Sequence, residues 1–132
     1  MKYTFLVDPV PASRPRVPRF GKPYYLPTYE GFRTKMAACV KQIPKTLLAA
    51  PLIVDITFFK LIPESFSRRK RDQMEGTYCI SNFDLDNLEK AIYDALNEHV
   101  YIDDKQVVEH TTRKKWTKEN PRIEISIKEL HL

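Results

Sequence analysis

Leu88, Ala91, Ile92, Ala95 and Leu96 recur at i, i+3, i+4, i+7 and i+8. That spacing places apolar side chains on one stripe of an α-helix and obliges the stripe to lie against another layer. The predicted helix runs from Asp84 or Asp86 to Asn97, with Asp86 and Lys90 on its polar side. The layer it needs is a sheet. Residues 52–62 carry the strongest strand pattern, with Val54, Ile56 and Phe58 alternating with Ile53, Asp55, Thr57 and Phe59 before Pro63. Residues 3–7, 106–116 and 122–130 are further strand patterns, and 117–121 reads as a hairpin loop between the last two. A first helix is predicted over 29–43, with Phe32, Met36, Cys39, Val40 and Ile43 on one face, Thr28 as its cap and Pro44 as its stop. The order β-α-β-α-β-β predicts an α/β (α+β) fold, a mixed β-sheet with two main helices packed on it.

A chain of 132 residues fits one domain, residues 1–132, whose core is thin enough to gain from a partner subunit. The net charge of +5 favours a polyanionic partner. No apolar run approaches the ~20 residues of a membrane span, and the amino-terminal residues form a strand pattern rather than a signal peptide. Cys39 falls on the helical face and reads as packing, whereas Cys79 lies in a polar stretch. Neither stands at zinc-ligand spacing, and a reducing cytoplasm is expected.

Between the elements lie two basic segments. One is studded with proline and aromatic residues: Arg14, Arg16, Arg19 and Lys22 alternate with Pro11, Pro15, Pro18 and Pro23, with Phe20, Tyr24 and Tyr25 among them. Proline removes backbone donors, so this reads as an extended loop. The other holds Arg68, Arg69, Lys70 and Arg71 within 64–82, a polar, mobile loop with at most a helical turn. Cations of this kind meet phosphates, and the interleaved aromatics suit stacking on unpaired bases; the bland alternative is a solvated loop. A third basic run, 113–118, surrounds Trp116, which reads as a packing anchor. His99, His110 and His131 have no partners at ligand spacing and read as structural or exposed.

Asp84 and Asp86 open the second helix, and Asp103 and Asp104 follow it. A single aspartate at a helix start is usually a cap. Two in three residues, with two more beyond the helix, suggest a metal centre if the chain turns back and brings the groups together. An all-oxygen ligand set suits Mg²⁺, with Mn²⁺ as a substitute. Such an ion activates water and offsets charge on a phosphodiester. Lys90 lies four residues after Asp86, a spacing that suits a salt bridge as well as a phosphate contact.

The string Asp84-Leu85-Asp86-Asn87-Leu88-Glu89-Lys90, then Asp94-Ala95-Leu96, then Asp103-Asp104-Lys105-Gln106-Val107 resembles the RusA family of Holliday junction resolvases, whose pattern is DxDNLxK, DAL and DDxQV in that order. The resemblance implies a homodimeric, magnesium-dependent endonuclease that cuts four-way DNA junctions symmetrically, in recombination and repair. It also implies an origin in a bacterial or phage-infected cell, often in a phage or prophage. It places the metal on Asp84, Asp86 and Asp104, with Asp103 adjacent, and makes Lys90 the catalytic lysine. Arg14, Arg16, Arg19, Arg68, Arg69, Lys70 and Arg71 are the expected DNA contacts. The chain departs from the family where basic residues should abut the first aspartate, because Asn82 and Phe83 stand there. The rival readings are a less selective flap or fork nuclease, a non-enzymatic basic DNA-binding module whose aspartates only cap a helix, and a protein-interaction domain with a solvated acidic turn.

Overall fold

The computed structural model describes residues 1–131. The elements are β1 (Lys2–Phe5), α1 (Pro27–Lys41), β2 (Leu52–Leu61), α2 (Arg68–Met74), α3 (Leu85–Leu96), β3 (Val107–Thr117) and β4 (Arg122–Glu129), with a 3₁₀ turn at Asp104–Gln106. The four strands form one mixed sheet in the order β1-β4-β2-β3. β2 pairs parallel with β3 on one side and antiparallel with β4 on the other.

One face of the sheet is apolar because alternate residues share a face. Leu52, Val54, Ile56 and Phe58 of β2 and Ile123, Ile125 and Ile127 of β4 are buried there. They meet Tyr29, Phe32, Met36 and Val40 of α1 and Leu88, Ala91, Ile92 and Leu96 of α3 in one cluster. The opposite face is polar and open. On it Arg113 grips both oxygens of Asp55, at 2.8 and 3.2 Å, and the hydroxyl of Thr57 at 3.0 Å. The expected mixed sheet with two main helices is present as a two-layer structure.

Several local expectations are corrected. Residues 117–121 do not close a hairpin, since β2 lies between β3 and β4. The link crosses the end of β2, two strand spacings or roughly 10 Å, a span that five residues cover easily. The long apolar run of β2 explains its place: a strand bonded on both edges is buried along its length. Thr28 is not the cap of α1. The cap position is Leu26, and Pro27 occupies the first turn, where its missing N–H is not needed.

Residues 64–82 contain a full helix, α2, rather than a loop with a turn. The Ser67 side chain caps it by accepting from the Lys70 amide at 3.2 Å. With no buried residues, α2 carries no apolar period from which to predict it. It is tied instead by Asp72 to Lys118 at 2.9 Å and by Glu75 to the Lys118 amide. Cys79 is buried, not polar in setting, because its amide bonds to the Lys114 carbonyl at 3.0 Å and draws it against β3. Cys39 is half-buried against the core, and both thiols are free.

The proline-rich segment is also more ordered than an extended loop. Arg16 and Tyr24 form an antiparallel bridge with both backbone bonds made, at 2.6 and 2.9 Å. Gly21 turns the chain between them at φ +103°, a conformation side-chain-bearing residues avoid. The result is a small β-arm spanning residues 16–24.

Candidate active site on the polar face of α3

Asp86, Lys90 and Asp94 recur every four residues on α3, and that spacing lines them along one face of the helix. Asp84 stands at the cap position but makes no side-chain cap bond, so its carboxylate is uncommitted. Asp86 is exposed and accepts only the Asn87 amide, at 3.0 Å. Capping by Asp84 is therefore not what this residue does here. The ion pair of Lys90 is with Asp94, at 3.4 Å, rather than with Asp86. Asp94 thus holds the lysine.

After α3 the chain turns at Asn97 and comes back along the helix. Tyr101 donates to the Tyr93 carbonyl at 2.7 Å, and β3 then runs antiparallel to α3. Thr112 donates to the Glu89 carboxylate, and the Tyr93 hydroxyl shares a 3.1 Å hydrogen bond with Nδ1 of His110. Glu89 also lies 3.6 Å from that nitrogen. His110 therefore belongs to a polar seam between α3 and β3. His99 is structural, with Nε2 at 2.8 Å from the Ile43 carbonyl.

This return sets Asp104 beside Lys90 and Asp94. Burial pushes its carboxyl above the ordinary value; Asp103 and Asp94 push the same way, and Lys90 opposes them. Asp103 moves the other way. Its carboxylate accepts the Lys105 amide at 2.9 Å and shares a side-chain hydrogen bond with Asp104, and both favour its ionised form. Of this pair, Asp104 takes the first proton. Burial also raises Tyr93 and Tyr101, with Glu89 and Asp104 respectively as the next causes, so both phenols stay neutral.

The polar face of α3 therefore carries negative charge at two levels. Asp84 and Asp86 occupy its first turn. Asp94 lies about 12 Å beyond Asp86, eight residues at 1.5 Å each, with Lys90 between, and Asp104, with Asp103 adjacent, comes beside Lys90 and Asp94. Among the described residues no three His, Cys, Asp or Glu side chains gather closely enough to form a cation cage. The donors still suit a hard ion in kind. They are carboxylate oxygens, those of Asp84 take no cap bond, and Asp104 carries an unfavourable charge that a cation relieves. Magnesium needs only one or two carboxylates when waters and substrate phosphates complete its shell.

The surroundings are basic and converge on the same end of the β2–β3 pair. Lys60, near the end of β2, donates to the Pro9 carbonyl at 2.6 Å and pairs with Asp8 at 3.2 Å. Its ammonium lies 4.1 Å from the Phe83 ring centre. Lys114 of β3 donates to the carbonyls of Phe83 at 2.6 Å and Ser81 at 3.4 Å. These two lysines fix the residue before Asp84, and nothing in their spacing along the sequence marks them. The Ala12 amide bonds to the Asn87 carbonyl at 2.9 Å, pinning the root of the Pro/Arg segment to the turn of Asp86. Arg14, Arg16 and Arg19 are exposed beyond that root. Arg68, Arg69 and Lys70 are exposed on α2, whereas Arg71 is half-buried and its Nε has no hydrogen-bond partner among the described residues. Trp116 is half-buried on β3, and its backbone bonds to Gly76 and Thr77 at 3.0 and 2.8 Å.

The profile of the family described as Endodeoxyribonuclease RusA matches residues 7–128. The chain belongs to the RusA endodeoxyribonuclease family. The match begins just after β1 and ends within β4, so this RusA-family chain carries the α3 face, the return to Asp104 and both basic segments within it. It is also 30% identical to the uncharacterized protein YqaN of Bacillus subtilis (strain 168), over 98% of this chain and 96% of that protein. Membership makes the RusA-family chain an endonuclease of the resolvase kind acting on DNA. Among its described residues no helix is long and apolar enough to cross a membrane.

Proposed function

We infer that the protein is a magnesium-dependent endonuclease that resolves four-way DNA junctions, working in the cytoplasm as a homodimer of single-domain chains in recombination and repair. The observation that carries this reading is the acidic face of α3, with Lys90 between its two carboxylate groups and the root of the Pro/Arg segment pinned to its first turn.

Asp84, Asp86 and Asp104, with Asp103 adjacent, would supply the ion's carboxylates one or two at a time, and waters and DNA phosphates would complete its shell. Once bound, such an ion supplies an acidified water and offsets charge on the scissile phosphodiester. Mn²⁺, similar in ligand preference, would substitute. The chain's own residues do the rest. Lys90 is anchored by Asp94 at 3.4 Å while two-thirds of its side chain remains exposed, so its ammonium is free to turn to a phosphate oxygen. Asp104, more costly to ionise than Asp103, gains most from a cation. Arg14, Arg16 and Arg19, with Arg68, Arg69, Lys70 and Arg71, position the phosphate backbone without reading bases. Two symmetry-related sites suit two cuts on opposed strands.

The test compares four-way junctions, flaps, forks and plain duplex as substrates, with Mg²⁺ and with chelator. The junction should be cut in paired, symmetric positions and only with the metal. Equal cutting of flaps and junctions would favour the less selective branched-DNA nuclease. No cutting with intact binding would leave a DNA-binding module.

A further inference from the structure

The arm, residues 16–24, displays large apolar side chains rather than packing them. Phe20 is 84% exposed and Val17 is 77% exposed, although the core lies within the same small fold. Exposing two large apolar side chains on a tip is unfavourable in water unless something covers them. The arm is built to hold its shape. Pro15, Pro18 and Pro23 restrict the backbone, Gly21 makes the turn, and the Arg16–Tyr24 bridge closes the base. The Arg19 guanidinium lies 5.8 Å from the Phe20 ring centre, so a cation travels with the aromatic.

The occupant is set by charge and position. Arg14, Arg16, Arg19 and Lys22 flank the tip, so whatever covers Phe20 also brings negative charge. The root of the arm is pinned at Ala12 to the α3 turn that carries Asp86. Eight residues separate Ala12 from Phe20, which bounds the reach of the tip to about 27 Å from that turn. At 3.4 Å per nucleotide step this is at most about eight steps along a strand. An aromatic face carried among phosphate-binding cations is the arrangement that stacks on an unpaired base.

We propose that the arm is a wedge whose Phe20 ring stacks on a base exposed at the branch point, and that this contact lets the protein tell a junction from duplex. In duplex every base is already stacked, so Phe20 gains nothing there. At a branch an open base face covers it. The inference rests on the junction-resolving reading above, and a rigid tip keeps the ordering cost low.

The experiment measures binding without chemistry, in chelator, using a four-way junction with 2-aminopurine at the branch and a matched duplex. Wild-type protein should change the 2-aminopurine fluorescence at the branch. Phe20→Ala should abolish that change and weaken junction affinity roughly 5- to 150-fold, the equivalent of about 1–3 kcal/mol per stacked base. Duplex affinity should move by less than about twofold, and Phe20→Trp should restore the junction signal. Equal weakening on junction and duplex, or no fluorescence change with wild-type protein, overturns the wedge. A change in sedimentation with unaltered fluorescence also overturns it and makes a second protein copy the occupant. Failure of the broader reading shows separately, as absent metal-dependent junction cutting by wild-type protein.

Discussion

Lys114→Met removes one ammonium and keeps the length of the side chain. In the native fold that ammonium donates to the Phe83 carbonyl at 2.6 Å and more weakly to the Ser81 carbonyl at 3.4 Å. A hydrogen bond with one charged partner contributes about 1.5–3 kcal/mol net, and the longer contact adds little. For a chain of this size the expected loss is roughly 6–12 °C in Tm, at about 4 °C per kcal/mol. Lys115→Met is the matched control. Its ammonium lies 5.5 Å from the ring of Tyr78, itself 71% exposed, a contact expected to contribute below about 1 kcal/mol. Urea titration of both variants measures the difference, with an unchanged slope confirming that the unfolded state is comparable. The same substitution should damage catalysis, because Phe83 immediately precedes Asp84. A displacement of about 1 Å at a reacting group costs on the order of 100-fold in rate. Single-turnover cleavage at saturating Mg²⁺ reads that loss. A Lys114→Met variant within about 0.5 kcal/mol of Lys115→Met, or one that cuts at the wild-type rate, would refute the claim that this lysine positions the turn.

Asp104→Asn should raise the Tm of the metal-free protein at neutral pH. Burial raises the Asp104 carboxyl in the folded state, so its ionised form costs stability. That cost is absent below the unfolded carboxylate value, grows through the window up to the raised folded value, and is complete above it. The stabilisation should therefore shrink as pH falls into the ordinary carboxylate range; thermal melts across pH check it, and a destabilised variant at pH 7 would count against it. Replacing Arg14, Arg16 and Arg19 together with alanine should reduce the slope of log affinity against log salt by up to about 2.7, at about 0.9 per phosphate neutralised. An unchanged slope in a salt titration would remove those arginines from the interface.

What the residues revealed in advance depended on where packing speaks through period. The stripe of α3 and the alternation of β2 are repeated patterns tied to burial, and both elements lie where those patterns put them. The order of strands was harder to read. A five-residue link between two strand patterns looks like a hairpin, and only the apolar length of β2 hints that it sits between them. α2 has no buried face, so it left Ser67 as its one signal. Asp94 was visible as the third member of the i, i+4, i+8 series from Asp86. Lys60 and Lys114 were not, because their role depends on which loop the folded sheet places beside them.

We assign the carboxylates on the α3 face to the catalytic metal centre rather than to helix capping. Asp84 makes no cap bond, and Asp86 accepts only one neighbouring amide, so an amide in place of the Asp86 carboxylate should leave the fold intact. The most direct measurement is the single-turnover rate of four-way junction cutting by wild-type protein and Asp86→Asn, each with Mg²⁺ and with chelator, at matched junction occupancy. Wild-type protein should cut rapidly and only with magnesium, and the variant should bind the junction but cut at the chelator background. Magnesium-dependent cutting by Asp86→Asn at the wild-type rate would contradict this assignment.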